Sequence, residues 1–252
     1  MSDDASGSAR SRLDVALGER GVASSRSQAR DLIKRGRVLV DGVVETRPSR
    51  LVDDKSKFDV EGNEARFVSR GALKLEAALD HFRFDPHQAV ALDVGASTGG
   101  FTQVLLERGV VRVYAVDVGQ NQLHATLRDD PRVVNLERTD ARALDVELVP
   151  DAIGAIVADV SFISLEKVMP AAIARSAPGC WLVLLIKPQF EVGRSEISKG
   201  GIVRSEQARN GAVEKCVQWV RGLPGWKTSG VIPSPVSGGD GNQEFLLGAR
   251  RG

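Results

Sequence analysis

The sequence is poor in the residues that build disulfide scaffolds, metal centres and membrane spans. Its 252 residues include two cysteines, three histidines and 5% aromatics. Cys180 and Cys216 stand far apart without ligand-like neighbours, which argues against a disulfide framework or a zinc site and fits a reducing, cytoplasmic setting. His81, His87 and His124 are scattered, so no metal is expected. No apolar run reaches the ~18 residues that cross a bilayer, so no membrane partner is expected. The opening MSDDASGSARSR has no apolar core behind its charges, unlike a secretory signal, and residues 1–10 read as a flexible tail. Excess charge is also missing, because the formal net charge is only +1.

That balance conceals an asymmetry. Residues 10–70 carry 14 Lys or Arg against 10 Asp or Glu, whereas residues 71–252 carry 20 against 21. A basic front part hints at a polyanion-binding module. The rest of the composition, 42% hydrophobic and 27% charged, is that of a globular protein. The length suits one large domain, or a large one with a small one.

Residues 11–62 read as a compact α+β unit. Leu13, Ala16 and Leu17 have helical spacing ended by Gly21. A second helix begins at a cap on Ser25 or Ser27 and stops at Gly36. Val38 and Val40, then Asp41-Gly42, then Val43 and Val44 predict a hairpin, and residues 51–60 a further strand. Residues 63–70 form a polar connector with one aromatic, Phe67. A helix over about 71–81 opens the larger domain, 71–252. From Ala89 onward the apolar strands AVALDVG, VRVYAVDVG, RVVNLERTD, AIGAIVADVS and CWLVLLIKP alternate with helices beginning near Phe101, Asn121, Leu165 and Ser205. Such alternation predicts a parallel sheet covered on both faces, and KTSGVIPSPV, GGDGN and EFLLGAR predict an antiparallel hairpin at its end.

The turn in LDVGASTGGFT joins a strand to a helix with glycines that let backbone approach a ligand. Its spacing does not match G-x-G-x-x-G, and the chain has no G-K-[ST], so dinucleotide and triphosphate loops are poor fits. A glycine cluster alone is also explained by a tight connection. Asp117 ends the second strand, where an acid accepts bonds from ribose hydroxyls, and Asp140 ends the third, where an acid can meet an adenine amino group. Each aspartate alone equally fits a helix cap. Three such features on successive strand ends point to an adenosine-type ligand without a pyrophosphate.

These motifs resemble the class I S-adenosylmethionine-dependent methyltransferases: an α/β, Rossmann-like, mostly parallel sheet with a C-terminal antiparallel hairpin. Within that class, D-V-G-A-S-T-G-G-F-T is similar to the FtsJ-like ribose methyltransferases and to the TlyA family, often called haemolysin A. The resemblance runs from about Arg12 to Arg250. It implies S-adenosylmethionine as cofactor, held by Asp93, Gly95, Ala96, Ser97, Thr98, Gly99, Gly100, Phe101, Asp117, Asp140, Ala141 and Asp159. It also implies a catalytic Lys-Asp-Lys-Glu tetrad: Lys74 in SRGALKL, Asp159 in VADVSF, Lys187 in LLIKPQF and Glu244 in NQEFLL. A ribose 2′-hydroxyl must lose its proton as the methyl group arrives in line. A lysine serves as base only if burial or a second cation lowers its pKa, whereas neighbouring carboxylates raise it. The expected roles are Lys187 as base or hydroxyl orienter, with the others positioning it. Singly, Lys74 also fits a solvated helix lysine, Asp159 a turn cap through Ser161, and Glu244 an edge-strand charge. D-V-S-F replaces the N-P-P-Y-like loop of amino-methylating enzymes, and neither cysteine sits in a nucleophile motif, so oxygen is the expected acceptor.

The front unit resembles an S4 RNA-binding domain, through R-L-D-x-x-L and S-R-S-Q-A-R-D-L-I-K-R-G-R-V-L-V-D-G. Arg12, Ser25, Arg26, Arg30, Lys34, Arg35 and Arg37 are its candidate RNA contacts, and Arg66, Arg70 and Lys199 are further ones. Helical spacing puts Arg26, Arg30 and Lys34 on one face, a stripe that can follow phosphates or simply be solvated. S4 units also precede pseudouridine synthases, but the strand pattern that follows here is wrong for one. Phe67 stands where the TlyA family often has tryptophan. The expected activity is ribose 2′-O-methylation of ribosomal RNA, at cytidine, by a cytoplasmic monomer acting on ribosomal subunits. A non-catalytic assembly factor and a membrane-lytic haemolysin are the alternatives; no signal, span or strongly basic amphipathic helix supports the second.

Overall fold

The computed structural model describes residues 10–23, 26–60, 66–238 and 241–252. Residues 1–9 of the tail expected over 1–10 lie outside them, as do Ser25, residues 61–65 of the unit boundary and connector, and residues 239–240 of the expected GGDGN turn. The chain forms two compact units divided between Ser69 and Arg70.

The first unit contains β1 (Ser11–Arg12), α1 (Leu13–Glu19), α2 (Arg26–Lys34), β2 (Val38–Val40), β3 (Val43–Glu45), β4 (Leu51–Val52) and β5 (Phe58–Val60). Strand β2 lies between β3 and β5, antiparallel to both, and β1 pairs with β4. Asp41 and Gly42 both have positive φ, 54° and 80°, the two-residue hairpin turn that matches strand twist. Leu13, Leu17, Leu32, Ile33, Val38 and Val40 form the core. Burying each such side chain contributes about 1.5–3 kcal/mol. The strand expected over 51–60 is two short pieces. Asp53 Oδ1 accepts from the backbone N–H of Lys55 and Ser56 and from Ser56 Oγ, which turns the chain between them. Ser27 lies inside α2 and is not its cap.

The second unit begins with α3 (Gly71–Phe82) and continues as β6 (Val90–Val94), α4 (Gly100–Glu107), β7 (Arg112–Val116), α5 (Ala125–Arg128), β8 (Val133–Leu136) and β9 (Ile153–Ala158). Then come α6 (Leu165–Val168), α7 (Pro170–Ala174), β10 (Ser176–Ile186), α8 (Pro188–Glu191), α9 (Glu206–Arg221), β11 (Trp226–Pro233) and β12 (Phe245–Arg251). The sheet order is β11-β12-β10-β9-β6-β7-β8, with β10 through β8 parallel and β12 antiparallel to both neighbours. From β6 the chain steps outward through β7 to β8, then returns to the other side of β6 for β9. The order therefore reverses between β6 and β9, and a crevice opens at their carboxyl ends. Leu92, Ile156, Leu182 and Leu184 are fully buried on these strands, as continuous apolar runs require.

Two boundaries differ from expectation. The third strand ends at Leu136, so Asp140 lies beyond it, capping a 3-10 turn at Ala141–Ala143 through the Arg142 N–H. The helix expected near Asn121 starts at Ala125, because Glu137 accepts the N–H groups of Asn121, Gln122 and Leu123. Those donors hold the Glu137 carboxyl below its usual range. Among the described residues no helix is long and apolar enough to cross a membrane.

Candidate active site

Two glycines are imposed by the turn after β6. Gly95 has φ 81°, and a Cβ there would lie 2.5 Å from the Asp159 carbonyl oxygen. Gly99 has φ 97°, and a Cβ there would lie 2.3 Å from Leu127 Cδ1. The first lets the β6 and β9 turns touch; the second lets the turn pack on α5. Asp117 fixes the same turn: its Oδ2 accepts from Ser97 N at 2.8 Å and its Oδ1 from Gly119 N at 2.7 Å.

A pocket of about 450 Å³ lies here, lined by Gly95, Ser97, Asp117, Asp140, Ala141 and Asp159 from the expected set. Gln122, Thr139, Arg142 and the Val160–Ile163 loop also line it. Asp140 makes an ion pair with Arg142 at 2.5 Å, which holds its carboxyl down at about 2. Asp93, Ala96, Thr98, Gly99, Gly100 and Phe101 do not line the pocket; they lie in the strand, turn and helix start behind it. Phe101 is buried, and the Thr98 carbonyl accepts from His124 N. Asp93 is fully buried; its Oδ2 accepts from Thr102 Oγ1 at 2.6 Å, and its Oδ1 has no hydrogen-bond partner among the described residues. Burial pushes its carboxyl up to about 7; the Thr102 bond opposes this, and the Asp159 and Asp117 charges add to it.

Beside this pocket the four tetrad residues converge from α3, the ends of β9 and β10, and the start of β12. Glu244 Oε2 accepts from Lys74 Nζ at 2.6 Å. Lys74 Nζ lies 3.9 Å from Asp159 Oδ2, and Lys187 Nζ 2.6 Å from Asp159 Oδ1. Lys187 Nζ also donates to Ser161 Oγ at 3.0 Å. Carboxylate and ammonium thus alternate along one chain of contacts, and every charge has an opposite neighbour. Buried charges require such pairing. Two of the single-residue alternatives fail on geometry: Lys74 is buried, and Glu244 is buried at the start of β12, which lies between β10 and β11 and is not an edge strand. Gly238 leaves room for Glu244, whose Oε1 would be 2.6 Å from a Cβ there.

Ser161 and Phe162 were not singled out by sequence. Phe162 is 91% exposed, has φ 66° and sits 5.2 Å from the Phe190 ring. It follows Ser161, the partner of Lys187, and its backbone lies in the left-handed region that a bulky side chain rarely adopts. Its signal was the Phe of D-V-S-F, read only for what it replaced.

In the first unit, Arg12, Arg26 and Arg30 converge on the buried carboxylate of Asp14. Lys34 and Arg37 are exposed. Arg35 pairs with Asp31 at 3.3 Å, one turn back along α2. The Arg66 guanidinium lies over the buried Phe67 ring at 4.8 Å. Arg70 precedes α3, and Lys199 is exposed in the turn at Ser198–Ile202. Among the described residues no cluster of His, Cys, Asp or Glu is placed to hold a metal.

Comparison with known proteins accords with this layout. The family described as FtsJ-like methyltransferase matches residues 67–251, and the S4 domain matches residues 11–56. The chain is 45% identical over 242 residues to the 16S/23S rRNA (cytidine-2′-O)-methyltransferase TlyA of Mycobacterium tuberculosis, covering 96% of this chain and 90% of that one. A structure solved as that of a candidate hemolysin from Streptococcus thermophilus is 37% identical, with a TM-score of 0.74, over 96% of this chain and 88% of its own. A structure solved as that of a candidate S-adenosylmethionine-dependent methyltransferase from Listeria monocytogenes shares the fold alone, with a TM-score of 0.55 and 16% identity over 72% of this chain and 98% of its own. The chain belongs to the TlyA family, an S4 domain joined to an FtsJ-like methyltransferase domain of class I fold.

Proposed function

We propose that this enzyme transfers the methyl group of S-adenosylmethionine to the 2′-hydroxyl of a cytidine ribose in ribosomal RNA, as a cytoplasmic monomer acting on ribosomal subunits. The observation that carries the reading is the Glu244–Lys74–Asp159–Lys187 chain, set beside a pocket at the sheet's switch point.

The pocket suits the cofactor. Its volume lies within the ~300–1,000 Å³ of small-molecule sites. Asp117 and Asp140 both line it, the first suited to ribose hydroxyls and the second to an adenine amino group, and Gly95 lets the β6 and β9 turns close against each other at its edge. When bound, S-adenosylmethionine supplies an electrophilic methyl group on a sulfonium. Lys187 is the base or the orienter of the acceptor hydroxyl, being the tetrad lysine that also reaches Ser161 on the pocket wall; to act as base it first gives up its own ammonium proton to solvent. Asp159 holds Lys187, and Lys74 with Glu244 fixes Asp159 from the buried side. Holding the oxygen in line supplies much of the acceleration. Phe162 offers a face on which the target base stacks. The first unit grips folded RNA by its phosphates, with Arg12, Arg26, Arg30, Lys34 and Arg37 facing it. Arg66, Arg70 and Lys199 are further contacts.

The test is tritiated methyl transfer to 30S and 50S particles lacking the modification. Label resistant to mild alkali at one ribose, and absent with Lys187→Ala, supports the reading. Cofactor and particle binding without label would turn the protein into an assembly factor.

A further inference from the structure

The first unit contains a second acid-and-arginine cluster that RNA recognition has not yet absorbed. Asp14 is fully buried, yet its cations are not: the side chains of Arg12, Arg26 and Arg30 are 41%, 56% and 54% exposed. Arg12 donates to both Asp14 oxygens, at 3.0 and 3.4 Å; Arg26 donates to Oδ2 at 3.0 Å, and Arg30 Nε lies 3.6 Å from it. Glu45 repeats the pattern. Its side chain is 6% exposed and accepts from Arg47 Nε, Arg47 Nη2 and Arg50 Nη1, each at 3.1 Å. It also accepts the backbone N–H of Thr46 and Arg47, and Arg47 itself is 75% exposed. The clusters adjoin along one seam. Arg12 is the register partner of Leu51, next to Arg50; Leu13 N donates to the Arg50 carbonyl, and Asp14 N to that of Pro48.

An acid that only balanced charge would lie outside, with its partners. Here each acid is covered while the arginines are more exposed, from 32% at Arg50 to 75% at Arg47, and five cations over two anions leave a local excess of positive charge. Arginine is a rotamer-rich side chain, and a carboxylate below it fixes its fork before a ligand arrives. We propose that Asp14 and Glu45 are organising residues of a single arginine track, which takes the phosphodiester backbone of folded RNA along Arg26, Arg30 and Arg12 and onward to Arg50 and Arg47. This rests on the reading of the first unit as RNA-binding and extends it to two arginines and two acids.

Because the acids work by ordering the arginines, neutralising either one weakens RNA binding, against the sign expected from net charge. The experiment measures binding of the full chain to transcribed 23S rRNA across a potassium chloride series. Asp14→Asn is expected to weaken binding about tenfold, and Glu45→Gln, Arg47→Gln and Arg50→Gln about threefold each. Each arginine variant lowers the salt slope by about one. If Asp14→Asn binds as well as or better than the parent while Arg26→Gln and Arg30→Gln weaken it, the organising role is overturned and the RNA reading stands. Unchanged binding by Arg47→Gln and Arg50→Gln overturns the extended track. No effect from any arginine variant removes the underlying reading. If Asp14→Asn unfolds the unit in a thermal melt, the Arg26→Gln and Arg30→Gln cycle decides: losses that fall short of additive support a shared site, and additive losses overturn it.

Discussion

Both units build networks from buried carboxylates and cations, and they put the cations in opposite places. Under the S4 surface the acids are buried and the arginines reach outward. In the catalytic unit the cations are covered too, the Lys74 and Lys187 side chains being 9% and 12% exposed, with Glu244 at 2% and Asp159 at 22%. The residue types suit the tasks. A guanidinium is permanently charged and forked, made for phosphate, whereas an ammonium can give up its proton when its surroundings ask for it. The same pairing rule therefore presents cations at the surface in one unit and covers them in the other.

The contrast is broken most severely at Lys187. Lys187→Ala is expected to lower methyl transfer roughly a thousandfold, in the range of a lost proton-transfer group. RNA affinity should be unchanged in a filter-binding assay. Next comes Glu244→Ala, which strands Lys74 without its 2.6 Å partner. Breaking such a buried pair costs about 3–5 kcal/mol, read in denaturant unfolding of the full chain. Arg30→Gln and Arg35→Gln sharpen the surface half of the comparison. The first should weaken RNA binding about fivefold. The second should change it less than twofold, because Arg35 is turned to Asp31.

The comparison also extends to pH dependence, where the two units should differ in sign. Glu45 is held at about 2, against 4.5, first by the Arg47 side-chain bond. The folded state then binds fewer protons than the unfolded one, so its contribution is present above about pH 4.5 and lost as pH falls toward 2. Asp93 is pushed up to about 7, against 3.8. Here the folded state binds more protons, so stability declines as pH rises from about 4 to 7. Asp93→Asn should flatten the upper range and Glu45→Gln the lower, in melting temperatures taken across pH.

Much of this was legible from residue order. Strand runs and glycine punctuation located the sheet, and the motifs around Lys74, Asp159, Lys187 and Glu244 selected four residues that the fold gathers from four elements. What escaped was set by tertiary partners. Glu137 captures three N–H groups and delays α5, a competition that no local pattern around Asn121 announces. Asp140 lies past its strand yet still lines the pocket. Half of the twelve expected cofactor residues lie behind the cavity, all of them in or beside the glycine turn, because a tight turn shows a ligand only some of its backbone. Arg47 and Arg50 escaped because the helical stripe drew attention to α2, while their acid lies on β3.

The Lys74–Glu244 contact spans 170 positions. Strands β6 to β10 join through neighbouring segments and can assemble early, but the groove beside β10 stays open until β12 has been made. A ribosome must therefore translate through about residue 251 before the tetrad closes. A chain released early would carry Lys74 without its counter-ion and no complete proton-handling site. Closure of the tetrad is thereby tied to synthesis through β12, the strand that Glu244 introduces.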